Sequence, residues 1–138
     1  MNLYQKSEER FRQDTSKHEM TVMLDEGLHR HLRFKQPGTN TYCFHLVTWP
    51  GFLSIGGDVA TYMFSRLPDM FRFFRDPKGG INPDYWAGKI ESTNRNGGHK
   101  DFCGEREGYS FRFLWCCHAI VWGINQYDAF KRIGGTEE

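Results

Sequence analysis

Residues Met20–Trp49 read MTVMLDEGLHRHLRFKQPGTNTYCFHLVTW. Met20, Val22 and Leu24 alternate with Thr21, Met23 and Asp25, the two-residue period of a strand with one face turned inward. Asp25-Glu26-Gly27 turns the chain, and Leu28–Lys35 follows with Arg30, Leu32 and Phe34 on one parity. Gln36-Pro37-Gly38-Thr39-Asn40 is a second turn, dense in residues that interrupt regular structure. Thr41–Trp49 is rich in aromatic and β-branched residues, as strands are. Strands joined by such short turns pair with their chain neighbours, so this stretch predicts an antiparallel meander.

The pattern extends outward from there. Trp49-Pro50-Gly51 turns again, and Phe52–Ser65 reads as one long fourth strand. Its Gly56-Gly57 pair marks a bulge or a close backbone approach. The character changes at Arg66. Pro68 and Asp69 suit a helix first turn, and Met70, Phe71 and Phe74 share one helical face. Asp76-Pro77-Lys78-Gly79-Gly80 ends that helix. Asn82 is an N-cap candidate with Pro83 at the first helical position, and Ile81 and Trp86 form a hydrophobic staple over a helix running to about Glu91. Thr93–Gly108 is loop-like. Ser110 caps a last helix from Phe111 to about Lys131, apolar at nearly every position up to Ile124 and so buried on most sides. The polar segment Asn2–His18 is a lightly docked helix or an arm.

The chain therefore divides into an N-terminal helix or arm (1–18), a single domain (19–133) and a tail (134–138). The expected class is α+β: a four-stranded antiparallel meander, packed on one face by two or three C-terminal helices and open in part on the other. An open sheet face carrying aromatics is a natural binding surface.

Composition supports a packed domain. The chain has 138 residues, 38% hydrophobic and 16% aromatic, with twelve Phe, six Tyr and four Trp, which excludes a disordered polypeptide. A net charge of +1 excludes a molecule-wide field for nucleic acid or anionic membrane, and equally an acidic mimic of DNA. No secretory n-region and h-region opens the sequence, and Cys43, Cys103, Cys116 and Cys117 read as reduced thiols of a cytosolic protein. The longest apolar run, Phe111–Ile124, is interrupted by Arg112 and His118 and is too short for a bilayer, so no membrane partner is expected.

Several groups of residues are candidate sites. His29 and His31 share one face of a strand, and Cys43 and His45 share one face of the next. In a favourable register these four converge as ligands suited to zinc, the one cofactor the residues offer. The plain alternative is a set of ordinary solvent-face positions. Cys116-Cys117-His118 places a thiol beside a base, yet adjacent helical residues point about 100° apart, and packing is the simpler role. Gly56-Gly57-Asp58 lacks any phosphate-loop spacing, and a bulge with a hydrogen-bonding Asp58 accounts for it. Arg66, Arg72, Arg75 and Lys78 interleave with Phe71, Phe73 and Phe74, a pattern that holds single-stranded nucleic acid when the rings are exposed. Here the rings fall at helical spacing, which favours core and leaves the arginines as a solvated face. Among the larger rings (Tyr42, Trp49, Tyr62, Tyr85, Trp86, Trp115, Trp122 and Tyr127) those left outside, Trp49 foremost, would mark an interface.

The strings TYCFHLVTWPGFLSIGGDVATYMFSRLPDMFRFFR (Thr41–Arg75), INPDYWAGKIES (Ile81–Ser92) and FLWCCHAIVWGINQYD (Phe113–Asp128) resemble a family of uncharacterised phage and prophage proteins of enteric and related bacteria. With Met20–Gly38 the likeness covers most of the chain. The family carries a longer segment between the second and third strings, where this chain has only Thr93–Ser110. The resemblance implies a phage accessory protein acting in the host cytoplasm and brings no catalytic residues with it. Its expected partner is a host or defence-system protein, and its most concrete activity is inhibition of an anti-phage defence such as CRISPR by steric protein binding. Alternatives are a small metal- or nucleotide-dependent enzyme on the His29/His31/Cys43/His45 face and a nucleic-acid-binding module on the Arg66–Lys78 run. A second copy of the chain is a further possible partner.

Overall fold

The computed structural model describes residues 2–75, 80–93 and 110–134. Each element follows from local chemistry. Helix α1, Leu3–Asp14, is opened by Asn2, whose side chain accepts from the Gln5 amide while the Gln5 side chain answers to the Asn2 amide, a complete capping box. Strands β1 (Glu19–Glu26) and β2 (His29–Lys35) join through Gly27 at φ +64°, a backbone state glycine adopts at no steric cost. Strands β3 (Phe44–Trp49) and β4 (Phe52–Gly57) join through Pro50 and Gly51.

The long fourth strand expected over Phe52–Ser65 is two strands. Gly57 ends β4 at φ +152°, where a Cβ would collide with the Cys43 carbonyl oxygen. The chain turns back there and pairs as β5, Tyr62–Ser65. A sixth strand, β6 (Ile90–Thr93), comes from the residues expected to end a helix at Glu91. Helix α3 stops at Ala87 because Ile90, Ser92 and Thr93 pair with Phe64, Met63 and Tyr62. Among the described residues the sheet thus has six strands rather than four, in chain order β1 to β6, every neighbour antiparallel.

Helix α2, Met70–Phe74, is capped by the Asp69 carboxylate, which accepts from the Phe71 amide. Helix α3, Pro83–Ala87, begins with proline, but the Asn82 side chain makes no capping bond. Helix α4, Phe111–Arg132, is capped by Ser110 through the Phe113 amide. α2 ends at Phe74 with Arg75 as its C-cap, before the expected stop at Asp76–Gly80, and Thr93, expected to open the Thr93–Gly108 loop, belongs to β6; the rest of that loop, residues 76–79 and the tail beyond Gly134 lie outside the described residues.

All four described helices gather on one sheet face. Phe11 of α1 packs on Phe44, Phe74 of α2 on Phe64 and Trp86 of α3 on Phe74. From α4, Phe113 packs on Tyr62 and Trp122 on Phe34. Leu32, Phe34, Leu46, Leu53, Ile55, Tyr62 and Phe64 are wholly buried between the layers. α1 is a docked helix and not an arm, since Ser7 and Phe11 are buried against α4. The chain is α+β, a helix-covered antiparallel sheet. Among the described residues no helix is long and apolar enough to cross a membrane.

Candidate functional site

The other sheet face carries no described helix. On β2 to β5 its residues are His29, His31, Arg33 and Lys35; His45, Val47 and Trp49; Phe52, Ser54 and Gly56; Met63 and Ser65. All are at least partly exposed, whereas the intervening residues are buried. Asp and Glu are absent from these positions. Acids return on the edge strands: on β1, Glu19 lies opposite Lys35 and Glu26 opposite His29, and β6 carries the exposed Glu91. The β1 edge also holds Met23, the extra residue of a bulge, and Leu24 opposite His31, exposed by 48% and 41%. A bulge on an edge strand discourages indiscriminate pairing.

At the centre, His31 and His45 share a hydrogen bond, with Nε2 of the first 2.8 Å from Nδ1 of the second. One ring donates and the other accepts, so the accepting ring is neutral. Arg33 lies directly across the strand pair from His45, and Gly56 lies on its other side. Burial lowers the His45 pKa below its ordinary 6.5, and the charges of His31 and Arg33 lower it further. The Arg33 Nε is buried and has no hydrogen-bond partner among the described residues. Beside it, Arg33, Lys35, Glu19, Thr21, Pro37 and Gly38 line a shallow depression of about 350 Å³.

The zinc candidates are thus partly assembled. His31, His45 and Cys43 are neighbours, with Cys43 Sγ 4.0 Å from His45 Nε2. His29 stands exposed at the hairpin end opposite Glu26. His45 Nδ1 is already bound to His31, and among the described residues no three His, Cys, Asp or Glu side chains have the arrangement of a metal site.

Trp49 and Phe52 flank the Pro50-Gly51 turn on the same face and stack on each other, with centroids 5.2 Å apart and planes at 21°. Asp58 has a structural task. Its carboxylate accepts from the Tyr42 amide at 2.9 Å, holding Tyr42 at its left-handed φ of 61°, and its own amide donates to the Cys43 carbonyl.

The basic run disperses. Arg66 and Arg72 are exposed, Arg75 donates through two nitrogens to Asp128 of α4, and Lys78 lies outside the described residues. Phe71 and Phe74 are core residues, while Phe73 is partly buried between Phe74 and the exposed Tyr85. Cys116 and Cys117 are buried, and burial, with Cys116 adding to it, holds the Cys117 thiol far above its ordinary pKa, the reverse of an activated thiolate. Cys103 lies outside the described residues. His118 bonds through Nε2 to Ser7 Oγ at 3.0 Å and ties α4 to α1, beside a cleft of about 150 Å³ lined by Glu8, Arg12, Trp122 and Asn125.

Sequence reasoning singles out His31, His45 and Trp49 but passes over Arg33 and Phe52. The signal for both was parity: HRHLRFK places every His, Arg33 and Lys35 opposite Leu32 and Phe34. Arg30 shares the inward parity and is 6% exposed. Its guanidinium sits 4.2 Å over the Phe71 ring and donates to Asp69 and to Thr48. Its strand partner Asp25 accepts from Tyr127 and Lys131. Burial alone would raise the Asp25 carboxyl, but these two bonds and the nearby cations hold it below its ordinary value. This network locks the sheet to α2 and α4.

No protein-family model, curated protein or solved structure matches the chain.

Proposed function

We propose that this chain is a non-enzymatic interaction protein that works by applying its uncovered sheet face to a protein partner. One observation carries the reading: the face exposes Trp49, Phe52, Met63 and Arg33 and has no Asp or Glu on its inner strands. Interface centres have this composition, enriched in aromatics, Met and Arg and depleted in acids. The helix-covered face supplies the core, so the outward face is free to be shaped by binding. The phage resemblance supports a setting in the host cytoplasm. In that setting the most concrete form of the activity is steric inhibition of an anti-phage defence protein.

The test is phage plating on defence-carrying hosts that express the chain or its Trp49→Ala and Phe52→Ala variants. Protection of the phage that is lost in both variants, at unchanged protein levels, is expected. Absence of protection across a panel of defence systems would remove the defence form. Protection that persists in both variants would remove the sheet face as the working surface.

A further inference from the structure

Resting on that reading of the sheet face, we propose that Arg33, His31 and His45 form an anion site that receives a carboxylate from an acidic segment of the partner protein, and that binding draws a proton onto the histidine pair. The three groups meet on β2 and β3. Arg33 faces His45 across the strands, and His31 is hydrogen-bonded to His45. Among the described residues the buried Arg33 Nε has no hydrogen-bond partner, and the partly exposed Arg33 side chain lines the open depression, where a guanidinium matches a carboxylate well.

The charged surroundings favour the same ligand. On β2 the titratable neighbours are His29 and Lys35, and just before β3 the neighbour is Cys43. On β1, Thr21 faces Arg33 and Leu24 faces His31, while Glu26 faces His29 and Glu19 faces Lys35 at the two ends. On β4 the facing residues are Ser54 and Gly56, neither charged. No carboxylate of the inner strands therefore competes for the cluster. The accepting histidine stays neutral while the bond holds, so an added proton goes to the free ring nitrogen of the donating histidine; an incoming anion favours that charged form, and binding and protonation reinforce each other.

A nucleic acid strand fits less well. Its affinity depends on neutralising phosphates, on the order of six for a typical site. This face holds two permanent cations, Arg33 and Lys35, with Glu19 and Glu26 at its rim, and Lys35 already donates to Asn40. A local carboxylate beside the apolar Trp49–Phe52 platform matches two cations and a proton-sharing pair.

The test is an NMR titration of the isotope-labelled full chain with three probes: a short peptide of glutamates around one tryptophan, its glutamine counterpart, and an oligothymidylate. Each is run near pH 6 and near pH 7.5, on either side of the ordinary histidine value. The acidic peptide is expected to shift the Arg33, His31 and His45 side-chain signals and to bind about fivefold or more tightly at the lower pH. Arg33→Gln and His45→Gln should each abolish that difference, with folding confirmed by an unchanged melting transition. Binding of the glutamine peptide equal to that of the acidic one, or no binding of either peptide, would overturn the anion site. Tighter binding of the oligothymidylate at the same residues would replace the carboxylate by phosphate and overturn the protein partner. The plating assay separates the two readings. Loss of protection in Trp49→Ala but not in Arg33→Gln leaves the sheet face standing and removes the anion site; retention in both removes the face itself.

Discussion

Gly123 of α4 lies directly against Phe34 of β2: a Cβ at position 123 would come within 3.1 Å of the Phe34 ring and 2.7 Å of a Leu46 methyl. Both neighbours are wholly buried, so neither has room to retreat. Glycine in mid-helix ordinarily costs about 1 kcal/mol relative to alanine. Here it sets how closely the helix approaches the sheet. Gly123→Ala should therefore fail to stabilise, and Gly123→Val should cost about 1–3 kcal/mol through overpacking. Urea unfolding of the two variants measures both.

Arg30 is the second structural test. Replacing it with Met removes the donor to Asp69 and Thr48 and the contact with the Phe71 ring. Breaking a buried ion pair from one side is severe, and partial exposure of Asp69 moderates it here. The expected loss is about 2–4 kcal/mol. Arg75→Met, by contrast, opens a more exposed pair with Asp128 and should cost no more than about 1 kcal/mol. Denaturation midpoints of the two variants should differ in that order.

Trp49→Ala tests whether the uncovered face is structural. Its ring is half-buried and stacks only on Phe52 among the ring contacts of the described residues. The expected cost is about 1 kcal/mol or less. Phe44→Ala, which deletes a ring packed among Phe34, Trp115 and Phe11, should cost about 3–5 kcal/mol. Equal losses would mean that the face belongs to the core.

Stability should depend on pH in two steps. Burial lowers the folded pKa of His118 and of His45, the latter helped by His31 and Arg33. The unfolded chain then takes up protons first, near the ordinary value of 6.5, so stability present at neutral pH declines as pH falls through and below that value. His118→Gln, which retains a partner for Ser7, should flatten this step. A second decline belongs to Asp25 and Asp69. Burial opposes their ionisation, but hydrogen bonds, from Lys131 and Tyr127 in one case and from Arg30 in the other, hold both below 3.8. Their contribution is present above that value and is lost as pH falls through the folded pKa. Unfolding curves at successive pH values resolve the two steps.

The sheet was legible because its signal is local. The parity of Leu32 and Phe34, and the turns at Gly27 and Gly51, depend on few residues. Two features escaped for a physical reason. Phe52–Ser65 reads as one run because the reversal after Gly57 arises from a backbone contact with Cys43, far away in sequence. Ile90–Thr93 becomes a strand only because β5 offers an edge to pair with. The site divides in the same way. Parity alone puts His31 and His45 on one sheet face, whereas their hydrogen bond and the neighbourhood of Arg33 and His45 both depend on the β2–β3 register, which the turn at 36–40 does not reveal.

The bond between Ser7 and His118 spans 111 residues. Neighbouring strands of the meander, by contrast, follow one another in the chain, so β1 to β5 can zip up hairpin by hairpin as they emerge from the ribosome, with β6 joining after α2 and α3. The sheet's aromatic inner surface then waits for the last helix, and α1, made first, waits for the same partner. The growing chain thus passes through a stage in which the rings of Phe34, Phe44 and Tyr62 lack their main cover. During that interval this small domain is exposed to aggregation and to chaperones.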